Sequence, residues 1–181
     1  MKEFKTERKE SRYSRWFRFG INHFPAFRRS SGRVRFVSAD WKEIHVRIKR
    51  NFRNTNYNGS IYGGSIYAAI DPIYAIQLIQ IFGKEYVVWD KKAVIDFKRP
   101  IKKKAAARFI FTDELIDTIK QNLDKEGEYY FDLPVSFVDE TGFIYAEIDK
   151  TLFIATKEFY KIKMEKKKQE FAKIQHQKTN R

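Results

Sequence analysis

Cysteine is absent from this 181-residue sequence, and histidine occurs only three times. Without cysteine the protein has no disulfide scaffold, no thiolate zinc site and no cysteine nucleophile, which fits a reducing compartment. The histidines, His23, His45 and His176, are far apart in the chain and lack the spacing of metal ligands. We therefore expect no metal site.

Common cofactor and catalytic motifs are missing as well. The sequence has no phosphate-binding Gly-Lys-Ser/Thr loop, no dinucleotide-binding glycine fingerprint and no Gly-x-Ser-x-Gly nucleophile elbow. Residues 1–12 are charged and contain no apolar stretch of the kind found in secretory signals. These absences favour a cytoplasmic protein that uses no cofactor.

The composition is that of a folded domain. Apolar residues make up 43% of the chain and aromatic residues 17%, which excludes a largely disordered protein. A length of 181 residues suits one domain.

The formal net charge of +14 comes from the flanks of the chain. Residues 54–160 hold 13 basic and 16 acidic side chains, a net charge of −3. We therefore expect nucleic acid to bind at most nonspecifically, through the ends, and to be released when residues 1–20 and 161–181 are removed.

The sequence pattern divides the chain into a lead-in, a domain and a tail. Residues 1–27 include a basic, aromatic stretch that predicts a short helix ending near Pro25. Such a helix can lay its aromatic rings on the domain surface, which we favour, or lie at a membrane interface. Residues 28–157 form the predicted domain, and residues 158–181 a charged helix or tail.

The segment 61–82 is apolar and long enough to suggest a membrane span. A carboxylate at its centre, Asp71, would cost about 2.5–3.5 kcal/mol in a bilayer, and Pro72 follows directly. We therefore predict the buried central helix of a soluble domain and no transmembrane segment.

Alternating polar and apolar residues predict six β-strands, and a helix over residues 113–125 is predicted to be capped by Thr112. In the third strand, alternation places Trp89 on one face and Asp90 on the other, where we expect an ion-paired subunit contact. The fold predicted is α+β, with a bent antiparallel sheet wrapped around one long central helix and extra helices at both ends. The predicted strands are 33–38, 43–49, 86–98, 105–112, 129–138 and 143–155.

A polar loop, residues 56–62, meets the start of the predicted central helix at Gly63 and Gly64. Amides in the first turn of a helix can hold an oxyanion. Asp71 follows two turns later, in what we expect to be apolar surroundings, and can act as base or nucleophile toward an acyl carbonyl. The pattern equally allows a structural interpretation, in which the glycines relieve packing and Asp71-Pro72 restarts a broken helix.

The ordered series resembles the phenylacetyl-CoA type of hot-dog-fold acyl-CoA thioesterases. Their pattern is Asn, two residues, Gly, two residues, His-Gly-Gly and an acid seven positions on, which Asn56, Gly59, Gly63, Gly64 and Asp71 match. The chain is also similar to an uncharacterised tetrameric branch of the superfamily, through stretches such as Ser-Ala-Asp-Trp and Ile-Asp-Phe-Lys-Arg-Pro. The likeness covers residues 25–157.

The resemblance implies a hot-dog fold, a site between two subunits and hence a homodimer or homotetramer, and hydrolysis of an acyl-CoA thioester. It implies that Gly64 supplies the oxyanion-hole amide, that Asp71 is base or nucleophile and that Asn56 orients water or thioester. Gly63 and Ser65 would lie beside the substrate. The phosphates of coenzyme A could meet a basic cluster that includes Lys98, Arg99 and Lys102, although such a cluster can also protect a strand edge.

Two positions depart from the family pattern. Tyr62 stands where these thioesterases usually have histidine, and Ala75 stands where some relatives carry a serine or threonine that positions water. These departures favour a second hypothesis, a catalytically silent protein that binds acyl-CoA or acyl groups. A third hypothesis is an adaptor for nucleic acid or a membrane surface that uses the basic flanks.

Overall fold

Six strands form a single antiparallel sheet in the computed structural model, which describes residues 4–179 and, for residues 171–179, the backbone alone. The strands are β1 (Gly32–Val37), β2 (Glu43–Lys49), β3 (Tyr86–Phe97), β4 (Lys104–Ile110), β5 (Glu128–Val138) and β6 (Ile144–Thr156). Their spatial order is β1-β2-β4-β5-β6-β3, so β1 and β3 are the two edges.

Within residues 4–179, six helices accompany the sheet: α1 (Arg12–His23), α2 (Pro25–Arg29), α3 (Gly63–Ala68), α4 (Ile73–Phe82), α5 (Asp113–Glu126) and α6 (Lys157–Thr179). The sheet wraps around α3 and α4, whose apolar side chains belong to the same core cluster as those of the strands. This arrangement is the hot-dog fold, and it confirms the predicted α+β class and its terminal helices.

The central helical segment is interrupted in the middle. It has the length and apolar composition of a membrane span, yet Ile66, Ile73 and Leu78 are buried in the core. A turn at residues 69–72 separates α3 from α4, and Pro72, not Asp71, occupies the N-cap position of α4. The helix is therefore broken and restarts after Asp71-Pro72, as the structural interpretation predicts, although among the described residues no side chain caps α4.

Helix α1 lies along the β1 edge of the sheet. Its Asn22 side chain donates to the carbonyl oxygen of Val34 and accepts from the Val34 amide, both at 2.9 Å. Ile21 is buried against the domain, whereas Trp16 is 71% and Phe19 is 58% exposed. Only part of the aromatic set therefore lies on the domain surface, contrary to our expectation for the whole set.

An irregularity in β3 changes the faces that alternation predicts. The register of β3 against β6 shifts between Asp90 and Lys92, so that Lys91 is an extra residue in the strand. Asp90 is paired with Leu152, which is buried on the helix side of the sheet. Trp89 is paired with Phe153, which faces the opposite side. The prediction that Asp90 faces away from the helix, as part of a subunit contact, is therefore wrong.

The connection before α5 matches the sequence prediction. The Thr112 hydroxyl accepts a hydrogen bond from the Leu115 amide at 3.2 Å, which confirms it as the N-cap. The helix ends at Gly127, whose φ of 73° lies in the left-handed region that favours glycine.

Candidate functional site

The two adjacent glycines begin α3 and are covered by aromatic rings. Tyr62 is the N-cap residue, and among the described residues no side chain caps the helix, which leaves the amides of Gly63 and Gly64 without a side-chain acceptor. A Cβ atom at Gly63 would lie 3.0 Å from the ring of Phe97, and one at Gly64 would collide with the ring of Tyr62. A larger residue at either position would therefore have to displace an exposed aromatic ring, and the amides of Gly63 and Gly64 are suited to an oxyanion.

The loop before α3 is stabilised by Asn56. Its Oδ1 accepts from the amides of Asn58 and Ser60, both at 3.0 Å, and its Nδ2 donates to the Ser60 hydroxyl at 2.9 Å. These bonds are local to the loop. The structure thus gives Asn56 a role in shaping the approach to α3.

The carboxylate of Asp71 lies at the other end of α3, in the turn before α4. Its side chain is 46% exposed, so it is not enclosed in the core as its place in an apolar segment predicts. The seven residues that separate it from Gly64 correspond to about 10 Å along a helix. Within one chain, Asp71 and the Gly64 amide are therefore too far apart to act on the same carbonyl group.

A fully buried lysine holds the Asp71 turn in place. The ammonium group of Lys150, on β6, donates to the backbone carbonyl of Asp71 and lies 3.6 Å from its carboxylate oxygen Oδ1. It also donates to Asp90 Oδ2 at 2.5 Å and lies 5.6 Å from the ring centroid of Tyr67. One cation thus links two carboxylates, one on β3 and one beside α4.

Charge and burial shift the pKa values of the two neighbours of this lysine. Burial raises the pKa of Asp90, the Lys150 ammonium opposes that rise, and the Asp71 carboxylate adds to it. Burial and a hydrogen bond to Asp71 raise the pKa of Tyr67, which keeps its hydroxyl protonated. Asp90 Oδ1 is buried and has no hydrogen-bond partner among the described residues. In this cluster the Tyr67 hydroxyl therefore donates to the Asp71 carboxylate, and Asp90 Oδ1 is an acceptor without a donor among the described residues.

An apolar groove of about 610 Å³ lies beside Asp71, between α1–α2 and α3–α4. Its walls include Phe24, Phe27 and Ile76, and Asp71 is the charged residue among the described residues that line it. The volume falls in the range of sites for small molecules, which are apolar with a few polar groups. The groove can hold an apolar chain with its reacting end at a carboxylate.

The remaining predicted residues lie near the start of α3. Ser65 follows the glycines and donates its amide to the carbonyl oxygen of Tyr62 at 2.9 Å. The segment from Lys98 to Lys102 connects β3 to β4, and within it the Ile101 carbonyl accepts from the Ile61 amide at 2.9 Å. This connection, which carries Lys98, Arg99 and Lys102, therefore reaches the loop and first turn of α3 that carry Asn56, Tyr62, Gly63, Gly64 and Ser65, while Asp71 stands apart.

Sequence reasoning did not identify Lys150 or Tyr67. A signal for Lys150 was present, because it lies in register with Ile148 and Leu152 on the buried face of β6. A lysine at a core position needs an acidic partner. Alternation could not supply that partner, since the extra residue in β3 is what directs Asp90 inward.

Comparison with solved structures shows the fold. The chain is similar to a protein of unknown function from Pseudomonas aeruginosa described as a probable thioesterase, at 19% identity and a TM-score of 0.68, over 79% of this chain and 95% of that one. A thioesterase from Haemophilus influenzae matches at 12% identity and a TM-score of 0.57, over 76% and 87% of the two chains. Mouse thioesterase superfamily member 2 matches at 16% identity and a TM-score of 0.55, over 78% and 96%.

Comparison with sequences gives the family. No curated protein sequence matches the chain. The profile of a domain of unknown function, DUF4442, matches residues 14–154, which include β1 to β5, all but the last two residues of β6 and both central helices. The chain therefore belongs to the DUF4442 family, and its fold is that of the hot-dog thioesterase superfamily.

Proposed function

We propose that the protein is a cytoplasmic acyl-CoA thioesterase whose site lies between two subunits. The observation that carries the proposal is the apolar groove, in which a single carboxylate, Asp71, is held by a buried lysine. An acyl chain in the groove would present its thioester carbonyl to that carboxylate. The thioesterases among the structural neighbours support the same activity.

The position of β3 supports a site shared by two copies. It is a twelve-residue edge strand, and a second copy of β3 can extend the sheet by antiparallel pairing. Phe97, whose ring lies against Gly63, ends this strand, whereas Asp90, which shares the Lys150 ammonium group with Asp71, lies nearer its middle. A two-fold axis midway between these two residues, beside Val94, would bring Gly64 of one copy close to Asp71 of the other.

The chemistry proposed is hydrolysis of the thioester. The first-turn amide of Gly64 would stabilise the negative charge that develops on the carbonyl oxygen. Asp71 would either remove a proton from water as the water oxygen attacks the carbonyl carbon, or attack that carbon itself before water releases the acid. In both routes the carbon–sulfur bond breaks, and the proton taken from water ends on the coenzyme A thiolate.

Replacement of the carboxylate tests the proposal. Asp71→Asn keeps the shape and the backbone carbonyl that accepts from Lys150, but it removes the base or nucleophile. We expect thiol release from a panel of acyl-CoA substrates to fall by at least about 100-fold, with circular dichroism unchanged. Asp117→Asn, on the exposed face of α5, is the matched control and should keep full activity. Equal activity of both variants would contradict the proposal.

The phenol at position 62 gives a companion test. Tyr62 is 60% exposed beside the α3 amides, where thioesterases of the resembled type have an imidazole. If the phenol is a poor substitute, Tyr62→His should raise the rate of thiol release. A wild-type protein that binds acyl-CoA without releasing thiol, and a variant that is equally inactive, would favour the binding-protein hypothesis.

A further inference from the structure

A second cavity, which we call the basic pocket, lies on the other side of α2 from the apolar groove. Its volume is about 450 Å³, and none of the described residues that line it is acidic. It lies at the ends of β1 and β2 and the turn that follows β2. Its six cations are Arg28, Arg33, Arg47, Lys49, Arg50 and Arg53.

The strand pairing places two cations of this pocket side by side. Arg33 of β1 is directly opposite Arg47 of β2. Lys49 is opposite Lys104 of β4, which is bonded to Glu140 and does not line the pocket. The pairing therefore concentrates positive charge at this end of β1 and β2.

The turn after β2 presents its cations on a fixed frame. Asn54 is buried, and its side chain accepts from the Asn51 amide at 2.8 Å and donates to the Lys49 carbonyl at 3.0 Å. Arg50 Nε donates to the carbonyl oxygen of Lys102 at 2.8 Å, which orients its guanidinium group. Guanidinium groups held in this way are suited to bidentate contacts with phosphate.

An exposed aromatic ring stands beside these cations. Phe52 is 86% exposed, and the guanidinium carbon of Arg53 lies 5.1 Å from its ring centroid. The ring buries little of its surface in the fold. A flat exposed ring next to a cluster of guanidinium groups is the combination that binds a base together with its phosphates.

The basic pocket and the apolar groove share a wall. Phe27 lines the groove and Arg28, the next residue of α2, lines the pocket. A ligand with an apolar chain at one end and a phosphorylated nucleotide at the other could therefore use both cavities. By contrast, Lys98 of the cluster indicated by the sequence is bonded to the carboxylates of Asp96 and Glu147.

We propose that the basic pocket binds the phosphorylated nucleotide end of coenzyme A, with Phe52 stacked on the adenine ring. This inference rests on the proposed function for the identity of the ligand. The pocket itself stands on the six cations, the ring and the fixed turn. Its affinity is for phosphates carried by an adenosine, so the free nucleotide fragment should bind as well.

Calorimetric titration of the full-length protein at 0.15 M salt tests the pocket without any hydrolysis. The probes are free coenzyme A and adenosine 3′,5′-bisphosphate. We expect Arg28→Gln combined with Arg53→Gln to weaken both by at least about tenfold, because charge-assisted hydrogen bonds to phosphate are lost. Lys120→Gln combined with Lys125→Gln, on the exposed face of α5, removes the same charge and should weaken them less than about threefold.

A separate substitution tests whether Phe52 stacks on the base. Phe52→Ala should weaken adenosine 3′,5′-bisphosphate by at least about tenfold and leave inorganic pyrophosphate, which has no base, unchanged. Equal weakening by the pocket and control double variants would overturn the inference, since net charge alone would then explain binding. Tighter binding of a single-stranded oligonucleotide than of coenzyme A, lost in the pocket variant, would also overturn it.

The outcomes separate this inference from the proposed function. Coenzyme A that binds in the pocket of a protein unable to release thiol would support the inference and contradict the thioesterase. Thiol release with a KM that the pocket variant leaves unchanged would support the thioesterase and overturn the inference.

Discussion

Lys150 connects three elements through one ammonium group with no solvent exposure. Lys150→Met would leave the half-buried carboxylate of Asp90 without its cation, and we expect the free energy of unfolding to fall by about 3 kcal/mol, the low end for a broken buried ion pair. Adding Asp90→Asn to Lys150→Met should recover part of this loss, because the unpaired charge is then gone. Urea denaturation at neutral pH measures both variants.

The exposed ion pair of α5 provides the comparison for Lys150. Lys120 lies 3.3 Å from Asp117 at the surface, and Lys120→Met should cost less than about 1 kcal/mol. If Lys150→Met is no more costly than Lys120→Met, the cluster does not stabilise the fold.

Glu43 makes the stability depend on pH. Burial would raise its pKa, but hydrogen bonds from Arg108 and Thr6 and the neighbouring His45 bring the pKa of Glu43 below its ordinary value of 4.5. A lowered pKa in the folded state stabilises the protein above pH 4.5, and this contribution is lost as the pH falls through the folded-state pKa.

Glu43→Gln tests this pH dependence. At pH 7 it should lower the free energy of unfolding by about 2 kcal/mol, through weaker hydrogen bonds to Arg108 and its other donors. The difference from wild type should shrink as the pH falls below 4.5. A difference that is constant from pH 7 to pH 3, measured by urea denaturation, would exclude a contribution from the Glu43 charge.

At the scale of elements, the end of α5 is fixed by both backbone conformation and packing. Gly127 has a φ of 73°, and a Cβ there would collide with the ring of Phe159, in the first turn of α6. Gly142, in the turn between β5 and β6, has a φ of 86° but open space around it. Substitution of Gly142 therefore measures the cost of the left-handed conformation alone, and substitution of Gly127 adds the cost of the collision with Phe159.

Alanine at each position measures the two effects. Gly142→Ala should cost about 1 kcal/mol for the left-handed conformation alone. Gly127→Ala should cost clearly more, because Phe159 must also move. Thermal unfolding followed by circular dichroism gives both values, and equal melting temperatures would mean that the contact with Phe159 adds nothing.

How far the sequence predicts this molecule depends on whether the determining interaction is local. All six strands and the Thr112 cap follow from short-range patterns, because alternation and capping involve residues close in the chain. The inward orientation of Asp90 could not be predicted in this way, because the alternating sequence does not indicate that β3 contains one extra residue. The contact between Asp71 and Lys150 spans 79 positions, which no local pattern can predict.

At the scale of the whole molecule, the proposed site requires two copies. Asp71→Asn supplies an intact Gly64 amide. Gly64→Pro, which removes that amide and displaces the exposed ring of Tyr62, supplies an intact Asp71. Each variant alone should be inactive. If the site combines residues of two copies, mixed and re-equilibrated subunits should recover roughly a quarter of wild-type activity, through the half of the dimers that are mixed and have one intact site.

Sedimentation of the same samples is the control for assembly. Wild type and both variants should form dimers or tetramers at micromolar concentration. Activity that is absent from the mixture, while sedimentation confirms mixed oligomers, would place the whole site within one chain.

The hydrogen bonds between Asn22 and Val34 also limit the number of chains that can join through the edges of the sheet. They occupy backbone groups at the β1 edge, and α1 lies over that edge, whereas β3 offers its edge to a neighbour. A sheet with two open edges can add copies indefinitely and form a fibre. A sheet with one open edge can pair with only one other sheet. Pairing through β3 would therefore stop after two chains, because α1 covers the opposite edge of each sheet.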